Sequence, residues 1–349
     1  MIKTGFVIVH PILAYISKYM IPVSVKIVNR EFCIRIVEVC KNRRARDRGI
    51  VNGAKTWYHK AVNDAKLGGD GMNMRDALAQ LRLSGIALEI AGEEPYRCGG
   101  TRFGGRPDVP PGFVWPYFEG VGLEDGEKKR RPLAFLAQFA LEEMQPFDAE
   151  HLLPAHGVLS FFYEVESQPW GFDPQDAGCA RVFWFEDAAT LAPAEYPPDL
   201  SQEARFPALH MDARQAFFYP EWEDFELAWP DADVDDFEET RDLLNEEAED
   251  GSRLLGWPEI LQNNMTRECE LVTQGYYLGD NWGDVPDEVY RRAKQTSLAK
   301  WRLLFQLGPV ASGDFELMFG DGGNLYFYIS KEDLLARRFE RAWLISQCG

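Results

Sequence analysis

Apolar positions along the chain follow two rhythms. Short runs crowded with Phe, Val, Tyr and Leu, bounded by turn-forming residues, predict strands. They are "IALEIAG" (86–92), "PLAFLAQFAL" (132–141), "GVLSFFYEVE" (157–166), "ARVFWFED" (180–187) and "RLLFQLG" (302–308). "FELMFGDGGNLYFYIS" (315–330) reads as a hairpin turning at Asp321-Gly322-Gly323. Helical spacing marks "NMRDALAQLRL" (73–83), which Ser84-Gly85 would end, and "EVYRRAKQTSLAKW" (288–301). It also marks the region around "DDFEETRDLLNEEAED" (235–250) and a closing helix "KEDLLARRFERAW" (331–343), with Ser330 and Asp333 placed as a capping box.

One stretch obeys neither rhythm. "RCGGTRFGGRPDVPPGFVWP" (97–116) holds two glycine pairs and then Pro107, Pro110, Pro111 and Pro116, a density that neither a helix nor a central strand tolerates. Gly99 and Gly104 are spaced as in a phosphate-binding loop, but Gly105-Arg106 stands where Lys-Ser or Lys-Thr is required. The stretch therefore reads as an extended strap leading into the sheet, with two open roles for Arg97, Arg102 and Arg106: pairing with internal carboxylates or contacting a ligand.

The chain also echoes itself. "FLAQF" (135–139) is matched by "LLFQL" (303–307), with Gln138 over Gln306. "GVLSFFY" (157–163) is matched by "GNLYFYI" (323–329), and Gly105-Arg106-Pro107 by Gly256-Trp257-Pro258. This pattern suits a duplicated β-unit whose sheet faces pack together.

Taken in order, "GGRPDVPPGFVWP", "PLAFLAQFAL", "LPAHGVLSFFY", "LLGWPEILQ", "LLFQLG" and "FGDGGNLYFYISKEDL" resemble the bacterial YwqG-like family, a family of domains of unknown function, from about Arg97 to Trp343. The resemblance implies an α+β fold with largely antiparallel sheets. With the echo added, the expected architecture has an internal pseudo-repeat of two related β-units and peripheral helices. The family brings no established enzymatic activity. Its association with toxin–immunity gene neighbourhoods implies an immunity-type or accessory binding role.

Charge divides the chain. Residues 1–71 hold 13 Lys/Arg and 5 Asp/Glu, whereas the whole chain carries a net charge of −19. The expected organisation is a basic extension, 1–71, followed by a YwqG-like domain, 72–349, with an acidic insertion at 221–250 containing 15 Asp/Glu and one Arg. Gly68-Gly69-Asp70 fits a translated ribosome-binding sequence, which predicts a true start at Met72. The rival reading is a basic arm for a membrane surface or nucleic acid. The acidic domain itself excludes nucleic acid as a partner and suits a basic protein. Six dispersed cysteines without a CxxC pair predict reduced thiols and a cytoplasmic location.

No catalytic pattern stands out. GxSxG and HExxH are absent, and His151 and His156 lie five apart, so neither a catalytic residue nor a metal site is assigned. "DADVDDFEETRD" (231–242) imitates a calcium loop but has Asp236 where Gly is needed and Asp242 where Glu is needed. No cofactor is expected. The leading expectation is a non-catalytic protein-binding module with an acidic surface. The alternative is binding or hydrolysis of a carbohydrate-like ligand by aromatic and carboxylate groups in loops. The candidate ligand-binding residues are Arg102, Arg106, Trp170, Asp173, Tyr276, Trp282, Asp284 and Asp321.

Overall fold

A computed structural model of the chain describes residues 73–93, 95–244, 251–279 and 282–349. The basic extension, residues 1–71, lies outside these, as does the end of the acidic block, 245–250. Met74–Gly349 form one compact unit.

In chain order the elements are α1 (Met74–Leu81), β1 (Leu83–Gly92), β2 (Arg102–Phe103), β3 (Asp108–Val109), β4 (Tyr117–Val121), β5 (Lys128–Pro132), β6 (Ala134–Ala140) and α2 (Leu141–Met144). There follow β7 (Val158–Tyr163), β8 (Ala180–Phe185), β9 (Ala192–Pro193), β10 (Leu209–Phe218), α3 (Trp222–Ala228), α4 (Val234–Leu244), β11 (Arg253–Leu255), α5 (Met265–Val272) and α6 (Asp287–Lys300). The chain closes with β12 (Trp301–Leu307), β13 (Val310–Ser312), β14 (Phe315–Leu317), β15 (Asn324–Ser330), α7 (Lys331–Leu335) and β16 (Trp343–Gln347). The fold is α+β, built on a ten-stranded antiparallel sheet in the order β16-β15-β12-β11-β1-β10-β2-β6-β7-β8.

That order reads the same from either end when β1 is exchanged with β10, β2 with β11, β6 with β12, β7 with β15 and β8 with β16. The centre of the exchange lies between β1 and β10. Each leading strand pairs with the short second strand of the other half, β1 with β11 and β10 with β2, so the halves interlock. Register agrees with this exchange. Arg102 faces Gln138 across β2 and β6, and Arg253 faces Gln306 across β11 and β12. A register shift falls between Phe135 and Ala137 in one half and between Leu303 and Phe305 in the other, two residues before each Gln.

The sheet curls onto its own inner face. Phe161 of β7 lies 4.7 Å from Phe305 of β12 and 5.0 Å from Phe327 of β15, ring to ring, although these strands are far apart in sheet order. Phe139 and Phe305 meet at 5.2 Å. Burial of these rings supplies the main core. The outer face is covered differently in each half. Phe113 and Trp115 of the proline-rich strap lie over Phe135 and Phe162, with Trp115 Nε1 donating to the Leu133 carbonyl at 2.9 Å. In the other half Met265 and Cys269 of α5 cover Leu303, Tyr326, Tyr328 and Ile345.

Several elements differ from the sequence reading. Ser84 and Gly85 do not end α1 but lie inside β1, where a Cβ on Gly85 would come within 3.0 Å of the Leu254 carbonyl and the Gly256 nitrogen. Close approach of β11 therefore explains this glycine better than a turn. The 315–330 hairpin is also different: β14 pairs with β13, and the Gly320–Gly323 reversal is closed by a bridge between Phe319 and Gly323. The closing helix stops at Leu335, and Phe339–Arg341 form a separate 3-10 turn before β16. Ser330 is its N-cap: Ser330 Oγ accepts from the Asp333 amide at 3.0 Å and donates to Asp333 Oδ2 at 2.6 Å, in place of the backbone bond that would complete a capping box.

Candidate functional site

Where a phosphate would sit in a glycine-rich loop, the strap holds its own carboxylate. Asp108 is fully buried and accepts from the Tyr96 hydroxyl (2.7 Å), the Gly99 amide (2.7 Å), Arg102 Nη1 (2.9 Å) and Gln138 Nε2 (2.8 Å). Its own amide donates to Gln138 Oε1 at 3.0 Å. Burial pushes its pKa upward, but the hydrogen bond and charge of Arg102, with bonds from Tyr96 and Gly99, outweigh burial and hold it below the ordinary value. Gly104, at φ +61°, completes the turn where a Cβ would lie 2.1 Å from the Pro207 carbonyl.

The second half repeats the clamp with other ends. Gln306 Nε2 donates to the Gly251 carbonyl at 2.8 Å, as Gln138 Nε2 donates to Gly100 at 2.9 Å. Gln306 Oε1 accepts from the Glu259 amide at 3.0 Å, in the role that Asp108 fills in the first half. Arg253 Nη1 donates to the Trp257 carbonyl at 3.0 Å, and its guanidinium lies 4.4 Å from the Phe218 ring centroid. Leu255 takes φ 61°, the value that Gly104 takes at the equivalent position of the first half.

The acidic insertion is folded onto a core of its own. Phe225 and Phe237 are buried with Ala77 and Leu78 of α1, and Trp222 and Trp229 pack around them. Arg241, the sole cation in residues 221–244, turns inward to pair with Glu221. Asp231, Asp233, Asp235, Glu238 and Asp242 are exposed, with Val234 and Leu243 among them at 40% and 38% exposure. Residues 234–244 are helical, so α4 spreads carboxylates around its axis where a calcium loop would converge them. Among the described residues, no group of three or more His, Cys, Asp or Glu is placed to hold a metal ion.

Beneath this face lies a buried polar junction. Asp224 Oδ1 accepts from Asn264 Nδ2 at 2.6 Å, while Asp224 Oδ2 has no hydrogen-bond partner. Asn264 Oδ1 accepts from the Arg267 amide (2.8 Å) and the Thr266 hydroxyl (2.9 Å), capping α5. Burial raises Asp224 to about 7, the Asn264 bond opposing and the charges of Glu223 and Glu221 adding to the rise. Burial likewise raises Glu221 and Glu268 to about 7.

The eight candidate residues occupy several places. Arg102 is buried against Asp108, and Arg106 pairs with Glu195 at 2.6 Å, as Arg97 pairs with Glu143. All three strap arginines thus meet carboxylates of the chain, Arg102 in the interior and the other two at the surface. Asp173 caps a 3-10 turn by accepting from the Gln175 amide at 2.8 Å, and lines an open groove of about 680 Å³ with Glu119, Asp176 and Arg181. Trp170 stacks on Phe172 at 6.1 Å, and Phe172 meets Tyr277 edge-on at 6.2 Å. Tyr276 and Trp282 pack with Phe172 around Leu271 and Val272. The two aromatic loops therefore touch, and the Leu278 amide donates to the Phe172 carbonyl at 2.9 Å. Asp284 is exposed at the end of a 3-10 turn, and Asp321 is exposed in the Gly320–Gly323 reversal.

Trp282 also walls a second cleft, of about 440 Å³, with Arg267, Tyr290, Asn263 and Asp287. Sequence reasoning passed over this group and over Asp224 and Asn264. The available signal was Asn264 placed three residues before Arg267 at the head of "MTRECELV", which reads as an N-cap followed by a helix.

Four cysteines, Cys98, Cys179, Cys269 and Cys348, are free thiols. Among the described residues no helix is long and apolar enough to cross a membrane. No curated protein is similar enough to the chain to serve as a relative. A family model described as a domain of unknown function, DUF1963, matches residues 101–348, from the first sheet strand after the strap glycines to the last, and the chain belongs to that family.

Proposed function

We propose that the chain is a non-catalytic module that binds a basic protein partner through the α3–α4 face, in an immunity-type or accessory role. The observation that carries this reading is the orientation of charge in the insertion. Its one cation is paired inward with Glu221, while the exposed carboxylates Asp235, Glu238 and Asp242 lie on α4 between the exposed Val234 and Leu243. A face of fixed negative charge with exposed apolar groups at its edges suits a basic amphipathic segment: the charges steer it and the apolar groups add contact. The helices are anchored by Phe225 and Phe237, so binding need not first order them. Free thiols support a reducing compartment, the cytoplasm. The repeated glutamine clamp supports a duplicated unit of the YwqG-like type as the scaffold. Neither a cofactor nor nucleic acid belongs to this reading.

The test is capture of partners from the source cell by the full chain and by an Asp235→Lys/Glu238→Lys/Asp242→Lys variant. The expected result is a partner retained at low salt by the wild type and lost both at high salt and with the variant. Equal capture by the two proteins would contradict the proposal.

A second reading rests on the touching aromatic loops. Trp170 and Tyr277 are exposed beside the Asp173 groove, a combination suited to a sugar face. Soluble oligosaccharides should then perturb Trp170 and Tyr277 in a titration. A Trp170→Ala change that leaves such binding intact would remove this reading.

A further inference from the structure

We propose that the cleft between α5 and α6 binds a small zwitterion, an α-amino carboxylate, with Arg267 taking the carboxylate and Asp287 the ammonium group. This site is separate from the α3–α4 face and does not depend on it. The cleft, at about 440 Å³, has the size of a small-molecule site. Its central group is a guanidinium held between two rings, 5.2 Å from the Trp282 centroid and 5.3 Å from that of Tyr290. Among the described residues Arg267 forms no ion pair, and its Nε is buried without a hydrogen-bond partner. An arginine held by aromatic stacking, whose neighbouring carboxyl, the buried Glu268, makes no ion pair with it, is preorganised for an oxyanion from outside.

The other walls narrow the class of ligand. Asp287, the first residue of α6, lines the same cleft and makes no ion pair with Arg267, so the two charges stand apart with space between them. A dianionic phosphate would meet that carboxylate unfavourably, whereas a ligand with one negative and one positive end satisfies both walls. Val285, Trp282 and Tyr290 supply apolar surface for a side chain, and Asn263 adds an amide at the rim.

Isothermal titration of the full chain with L-leucine, N-acetyl-L-leucine, L-leucinamide and inorganic phosphate separates the two charge contacts. L-Leucine is expected to bind best. Each single-charge derivative should be weaker by about tenfold or more, the loss of one charge-assisted contact. Arg267→Ala should abolish L-leucine binding. Asp287→Asn, a change at an exposed residue that leaves the fold intact, should make L-leucine and its N-acetyl derivative equivalent. The proposal is overturned if phosphate binds better than L-leucine, if Arg267→Ala or Asp287→Asn leaves L-leucine affinity unchanged, or if no probe binds up to about 10 mM, beyond the millimolar affinities of weak sites. Should Arg267→Ala fail to fold, the Asp287→Asn comparison alone decides.

Discussion

Arg102 and Arg253 hold the same rung of the sheet in its two halves, opposite Gln138 and Gln306, yet their surroundings diverge. In the first half the next acidic residue, Asp108, turns inward and takes four hydrogen bonds, so the clamp closes on itself. In the second half Glu259 offers its amide and carbonyl, while its carboxylate meets only Asn324 Nδ2 at 3.4 Å. The connections differ in the same sense. Only nine residues separate β1 from β2, whereas α3 and α4 lie between β10 and β11, and α5 and α6 between β11 and β12. One half spends its charges on holding the fold. The other carries inserted helices that bury some charged groups, Asp224 and Glu268 among them, and turn others outward or into a cleft.

The largest test of this contrast is a pair of truncations. Asp108→Ala leaves Arg102 buried without its anion and should cost about 3–5 kcal/mol, whereas Glu259→Ala should cost about 1 kcal/mol or less. Urea unfolding with an unchanged m-value measures both. Equal losses would erase the distinction. Next in size are Gln138→Leu and Gln306→Leu. Each leaves buried backbone groups unpaired, at about 1–3 kcal/mol, and the loss should be larger at Gln138 because it also donates to Asp108.

pH separates two buried carboxylates, one in each half, by sign. Asp108 is held below its ordinary value, so its contribution is present above the unfolded value of 3.8 and disappears as pH falls through the lower folded value. Asp224 is raised to about 7, so its contribution is complete below 3.8, declines as pH rises towards 7 and stays lost above. Asp224→Asn should therefore reduce the slope of the stability profile between about pH 4 and 7, leaving the part due to Glu221 and Glu268, while Asn264 keeps an oxygen to donate to. A variant that retains the wild-type slope across that window would show that Asp224 is not the group responsible. The smallest expected effect is on stability in the Asp235→Lys/Glu238→Lys/Asp242→Lys protein, about 0.5 kcal/mol or less per site, because these side chains are exposed.

Much of the sheet was legible because its strands are buried on both faces. β6, β7, β12 and β15 read as mainly apolar runs, and the paired glutamines stand out as polar residues among apolar neighbours in β6 and β12. β10 was missed because "LHMDARQAFF" is half-exposed and polar at alternate positions, and its pairing with β1 is long-range. The acidic block was legible as charge, but its second helix, α3, was not, since Phe225 acquires its partners only from α1 and α4. The α5–α6 cleft was the least legible feature. Trp282 was singled out, but Arg267 and Tyr290 reach it from separate helices, and no local spacing joins three residues across a loop.

The claim that matters most is that the acidic α3–α4 face, and not the cleft, engages a protein partner. The direct measurement is the affinity for the captured partner, across a salt series, of the wild type, the Asp235→Lys/Glu238→Lys/Asp242→Lys variant and Arg267→Ala. The account predicts a steep loss of affinity with salt for the wild type, about tenfold or greater weakening in the charge-reversed variant, and wild-type affinity in Arg267→Ala. Full affinity in the charge-reversed variant, or a salt-independent interaction, would contradict it.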